Sequence, residues 1–357
     1  MSEAAARAAA EHRADSLNVL GRHDQALAVV GPALASNPDD VGLLVQAAVA
    51  SAGLHRLEEA LRLLRSAAAA DPGSSRVHRI MSFVALERGA VDEAVQAAYR
   101  AVQLSPFDPY AHAQLARACA RKGNREYAVM AASRAIELAP DLADSHIAMA
   151  DVRFPEGGPK PPKADLKVAE THLMRALQIE PGNASALNDL ARVHLALGHQ
   201  VRAAGHLASA VRADPMTPVM QQNMDVVFIG LIARAHWVLF LMWFVSRQVS
   251  RAEGDDAPRW VPLALAVAGF GLIGWVLWRL RAQVPDHLPA FVRGFTRRQR
   301  LGSAWAVCLL LTAVLFLGSA VAPTSLSGAL LLWAWLPLMA GAVLSWVRYA
   351  RERRAAR

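Results

Sequence analysis

The chain has 357 residues, a formal net charge of +8 and two cysteines, Cys119 and Cys308, one in each half. That pair excludes a disulfide framework and a cysteine-based metal cluster. Residues 1–220 hold 23 Lys/Arg against 24 Asp/Glu, whereas residues 221–357 hold 15 Arg against 6 acids and all nine tryptophans. The positive excess therefore sits beside long apolar runs, which points to a membrane surface, and no nucleic-acid partner is expected.

The N-terminal stretch MSEAAARAAAEHRADSLNVL has no apolar core of the kind a secretory signal needs, so the first half is expected in the cytoplasm. Helical, alanine-rich runs follow, broken at Pro38, Pro72, Pro106, Pro140, Pro181 and Pro215, at intervals of 34, 34, 34, 41 and 34 residues. Twelve residues before each proline stands Ala26, Ala60, Ala94, Ala128, Ala169 or Ala203, and five before it Ala33, Ala67, Ala101, Ala135, Ala176 or Ala210. Eight before it stands Val30, Leu64, Ala98, Ala132, Leu173 or Leu207, and seventeen before it, in four units, Gly21, Gly89, Gly123 or Gly198. Alanines seven apart lie on one helical face and let a neighbouring helix come close. The glycine suits a left-handed helix end, and the proline, lacking an N–H, stops the second helix.

This pattern resembles the tetratricopeptide repeat family over residues 7–217, about six helix pairs. The resemblance implies an all-α solenoid whose first helices line a concave groove for a protein or peptide partner. It departs from the family at the large aromatics of the first helix, replaced by Leu44, His78, His112, His146 and Leu187, and by Ser51, Ala85, Cys119, Arg153 and His194. Histidine every 34 residues suggests one packed histidine per repeat. Neighbouring repeats stand about 10 Å apart, too far for histidines to share a metal held by bonds of about 2 Å. The surplus of the fifth repeat is FPEGGPKPPK, residues 154–163, an extended loop by composition.

Carried over residue by residue, the resemblance puts Arg76, Arg79, Phe83, Tyr110, Gln114, Arg117, Asn188 and Arg192 on the inner face. Arginine between aromatics suits a peptide with acidic side chains or a free carboxylate. The second repeat offers Val45 and Val49 there and the fifth Asp144 and Asp151, so the carboxylate clamp of chaperone-binding relatives is not reproduced in full. A solvated, mixed-charge face is the plainer alternative.

After the expected solenoid, residues 1–217, Thr217 and Pro218 read as N-cap and first helical residue. A helix over 218–245 is expected to cap the stack and become the first membrane span, Val226–Val245. Further spans are expected at 261–278, 303–322 and 328–347, each long enough for a bilayer core of about 30 Å. Loop 279–302 carries six arginines and the tail 348–357 five, while APTSLS has none. Both basic segments, and with four spans the repeats, are thus expected in the cytoplasm. Arg247, Arg251 and Arg259 in the first loop run against that count. The loop 279–302 is a candidate for anionic lipids.

Arg234 and His236 lie inside the first span, as transport or sensing residues or as an arginine reaching to the interface toward Asp225. Gly269, Gly271 and Gly274 spell a dinucleotide fingerprint, but inside a span. There Ala264, Ala268 and Gly271 are expected to let helices pack closely. No catalytic set, cofactor motif or metal motif emerges from the sequence. The leading expectation is a membrane-anchored scaffold, with a transporter, channel or membrane-enzyme subunit regulated by its repeats as the alternative.

Overall fold

A computed structural model describes residues 3–155, 160–213, 218–253, 260–284, 288–322 and 324–355. Pro215, Thr217, Arg259 and residues 156–159 of the insertion lie outside these, so the expectations placed on them are not addressed. Among the described residues every regular element is helical and there is no strand.

Twelve helices form six pairs: α1 (Glu3–Val19) with α2 (His23–Ser36), α3 (Val41–Gly53) with α4 (Leu57–Ala70), α5 (Ser75–Arg88) with α6 (Val91–Leu104), α7 (Pro109–Arg121) with α8 (Arg125–Leu138), α9 (Ala143–Arg153) with α10 (Lys163–Ile179), and α11 (Ala184–Leu197) with α12 (Gln200–Ala213). Contacts group the chain into two compact units, residues 1–186 and 187–357, so α12 and nearly all of α11 belong with the helices after them.

The repeating positions do what their spacing demands. Eleven of the twelve alanines are fully buried, and Ala33 is partly buried. Val30, Leu64, Ala98, Ala132, Leu173 and Leu207, between them on the same face, are at most 1% exposed. The glycines all have positive φ, from 70° to 85°, and close the turn between first and second helix. In the second repeat His55 occupies that slot at φ 60°, a conformation disfavoured for a side-chain-bearing residue.

Two residues past the proline, a side chain caps the next first helix: Asp40 accepts from the Leu43 amide at 2.9 Å, Ser74 from Val77, and Asp108 from Tyr110 at 2.9 Å. Six past it, the recurring histidines reach back to the turn. His112 Nε2–H donates to the Pro106 carbonyl at 2.9 Å and His146 Nε2–H to that of Pro140 at 3.0 Å; His78 is bonded to Pro72 likewise. The histidine thus satisfies a carbonyl at the end of the preceding pair, which a leucine or phenylalanine in that slot could not do.

In the first unit the first helices pack on one another in sequence, α1 on α3, α3 on α5, α5 on α7 and α7 on α9. Each second helix of the first four pairs packs on its own first helix and on the next one. The first helices form the more closely spaced layer, so a stack built this way curves with that layer inside.

The second unit continues with α13 (Pro218–Glu253), α14 (Trp260–Gln283), α15 (Leu288–Arg298), α16 (Arg300–Val321), α17 (Thr324–Trp333) and α18 (Trp335–Ala355). Four stretches are long and apolar enough to cross a membrane: Gln222–Arg251, Trp260–Gln283, Arg300–Val321 and Leu326–Arg351. Their shared core is built on Leu239, Met242, Ala266, Trp305, Leu309, Phe316, Leu331 and Leu338. Trp237, Val267, Leu310 and Val343 face outward, a surface suited to hydrocarbon and not to water.

The last stretch is interrupted at Ala334, because Pro337 has no amide hydrogen and its ring crowds the carbonyl four residues back. Trp243 Nε1–H donates to the Leu331 carbonyl at 2.8 Å, satisfying a backbone group next to the break. The small-residue face of α14 differs from expectation. Ala264, Ala268 and Gly271 are exposed, and Ala266 and Gly269 are buried, with Gly269 against Met242 of α13. The close approach of α13 and α14 is made at Gly269, where a Cβ would run into Met242.

Candidate functional site

On the inner layer of the first unit, α5 and α7 present an exposed group of cationic and aromatic side chains. Phe83 is 49% and Tyr110 43% exposed, and the Arg79 guanidinium lies 5.4 Å from the centre of the Tyr110 ring. Arg76, one turn before Arg79 and Ile80, is half exposed and 4.0 Å from Asp15 of α1. The sequence brings them together because Arg76 and Tyr110 hold the same slot of successive repeats, as Phe83 and Arg117 do in another.

The remaining candidates are placed differently. Gln114 is 4% exposed, and its amide donates to the Ser82 hydroxyl of α5 at 3.1 Å. It occupies a position facing the neighbouring first helix and cannot reach a groove ligand. Gln46 holds the same slot in the second repeat, buried against Asn18 and Asp15. Arg117 is clasped by two carboxylates of α9, Asp144 at 2.5 Å and Asp151 at 2.9 Å. Burial alone would lower its pKa, but the two carboxylates outweigh it and raise the pKa, fixing the charge. Arg117 is therefore an internal tie between the fourth and fifth pairs.

Asn188 and Arg192 lie in the second unit. Asn188 accepts from Asn223 of α13 at 2.8 Å, and Arg192 pairs with Asp189 at 3.0 Å. Both are half-buried.

Arg234 donates to the Gly198 carbonyl, at the turn between α11 and α12, and does not reach Asp225. Asp225, 3% exposed, is instead bound by Arg298 and Gln299. A closer cation on α15 won that carboxylate, and α12, packed on α13, offered Arg234 a carbonyl. His236 accepts a hydrogen bond at Nδ1 from Trp305 Nε1–H at 3.2 Å.

Two histidine groups escaped the sequence reading. His146 and His172 face each other with Nδ1 atoms 3.2 Å apart, and His194 stacks on His206 with ring centres 5.1 Å apart, with His199 at 5.7 Å. His172 and His206 both stand nine residues before the repeat proline, a slot filled by Val29, Leu63, Ala97 and Ala131 elsewhere, which was the available signal. His146 Nε2 donates to a carbonyl, so in the neutral pair its Nδ1 accepts and His172 Nδ1–H donates. Burial, followed by the neighbouring His146 and Arg153, pushes the His172 pKa down. Burial, then His206 and His199, lowers that of His194 to about 4. Among the described residues no group of three or more His, Cys, Asp or Glu could hold a metal ion.

Residues 20–82 match the tetratricopeptide repeat family model. A tetratricopeptide repeat protein from Parabacteroides merdae ATCC 43184 superposes with a TM-score of 0.52 at 15% identity, over 62% of this chain and 84% of that one. A thermophilic TPR protein from Thermus thermophilus, TTC0263, gives a TM-score of 0.47 at 20% identity, over 53% of this chain and 98% of that one. None of the curated proteins matches the chain. Residues 20–82 thus carry tetratricopeptide repeats, and the buried alanines, positive-φ glycines and 34-residue period continue past them in an all-α chain that ends in four helices long and apolar enough to cross a membrane.

Proposed function

We propose that this protein is a membrane-anchored scaffold that holds a protein partner on the inner side of a membrane. The observation that carries this reading is the exposed set Arg76, Phe83 and Tyr110 on successive first helices, with the half-buried Arg79 over the Tyr110 ring. A cation held over an aromatic ring, beside a second exposed aromatic, offers charge, hydrogen-bond donors and apolar area in one place. The matching ligand is an extended peptide with acidic side chains or a terminal carboxylate, bound through forked hydrogen bonds. The arginines of loop 279–302 and of the tail 348–357 support placing the repeats inside.

The test uses the full-length chain. Arg79→Glu reverses the charge at the centre of the patch and lowers partner association at least about tenfold, whereas Arg234→Ala leaves it unchanged. The transporter or channel reading makes the opposite demand: Arg234→Ala impairs activity and Arg79→Glu does not.

A further inference from the structure

Between α13, α16 and α18 lies a cavity of about 290 Å³. Its wall is mostly apolar, with Trp237 and Phe240 of α13 and Leu338 and Met339 of α18, but it carries two polar groups, His236 and Ser345. Trp305 Nε1–H can only donate, so its bond to His236 Nδ1 leaves the imidazole proton on Nε2. Among the described residues neither His236 Nε2–H nor the Ser345 hydroxyl has a protein partner. In a medium without water each such group costs free energy until an acceptor reaches it.

Depth identifies the acceptor. Trp305 lies five residues into α16 from Arg300, about 7.5 Å along the axis, and Ser345 lies three residues before Arg348, about 4.5 Å. The polar groups therefore sit just inside the charged end of the bundle. There the headgroup layer gives way to hydrocarbon, and phospholipid ester carbonyls lie at that boundary. The volume is about twice that of a cavity that takes up benzene, enough for a glycerol ester and the first part of an acyl chain. Arg293, Arg297 and Arg300 are exposed at the same end, which favours an anionic headgroup. Gly341 lets α18 pack directly on the Trp305 ring that orients His236, since a Cβ there would stand 2.9 Å from it.

We infer that this crevice is a binding site for one anionic diacyl phospholipid, whose ester carbonyls accept hydrogen bonds from His236 Nε2–H and Ser345 Oγ–H. The acyl chain lies along Trp237, Phe240, Leu338 and Met339. The site depends on the membrane placement of the four helices and is independent of the peptide groove.

Native mass spectrometry of the detergent-solubilised full-length protein, titrated with phosphatidylglycerol in diester and diether form, tests it. The two lipids differ in the carbonyls alone. One lipid is expected to be retained per chain, with the diester favoured at least about fivefold. His236→Phe removes that preference, Ser345→Ala reduces it to about half or less, and Ala342→Phe, which fills the cavity, abolishes retention of both lipids. Equal retention of diester and diether by the wild-type chain overturns the site, as does an undiminished preference in both His236→Phe and Ser345→Ala.

Discussion

Arg298 and Asp225 form a two-pronged ion pair across 73 residues of sequence: Nε to Oδ2 at 3.0 Å and Nη2 to Oδ1 at 2.7 Å. The carboxylate is buried, and Gln299 adds a further contact at 3.4 Å. The pair ties α15 to α13, where Phe295 packs beside Phe228 with ring centres 5.3 Å apart. Removing one partner strands a buried charge. Arg298→Met is expected to destabilise the second unit by about 3 kcal/mol, and adding Asp225→Leu to restore part of the loss. Thermal unfolding in detergent across the double-mutant cycle measures it.

The histidines predict that the packing of α11 on α12 is acid-sensitive. The folded pKa of His194 is lowered to about 4 from the ordinary 6.5, so folding favours its neutral form. Stability is fully present above pH 6.5 and is lost as pH falls from there through about 4. Over that window the loss approaches about 3 kcal/mol, and His194→Leu flattens the profile. Denaturant midpoints at pH 7.5, 5.5 and 4.5 check this.

Arg117 is expected to act on stability and not on ligand. Arg117→Met leaves Asp144 and Asp151 facing each other without their cation and costs about 2–4 kcal/mol. Partner binding at equal folded fraction is unchanged. A loss of binding in a fully folded Arg117→Met chain would return this residue to the groove.

The periodic histidines can be tested by one that is least entangled with others. His112→Leu, the residue type found in the same slot as Leu44 and Leu187, removes the donor to the Pro106 carbonyl. The expected loss is about 1 kcal/mol, read from denaturant unfolding.

The solenoid could be read from the sequence because its constraints are local and repeated. Ala60, Leu64, Ala67 and Pro72 state one face and one stop, and the same statement recurs every 34 residues. The caps Asp40, Ser74 and Asp108 stand two residues past Pro38, Pro72 and Pro106, a recurrence the sequence reading did not use. Pairings between distant elements were not. Nothing in the spacing of Arg234 separates a carbonyl at Gly198 from a carboxylate at Asp225, and the choice depends on where α12 and α15 dock on α13. Gln114 was misplaced for a related reason: a one-position shift on a helix turns a groove residue into one facing the next helix.

The central claim is that the Arg79–Tyr110 patch receives a partner while the protein sits in the membrane. A photo-crosslinking amino acid at Phe83 of the full-length chain, irradiated in intact cells, tests it most directly. One discrete adduct is predicted, lost when Arg79→Glu is added and retained when Arg234→Ala is added. No adduct at Phe83, or one that persists unchanged with Arg79→Glu, contradicts the claim.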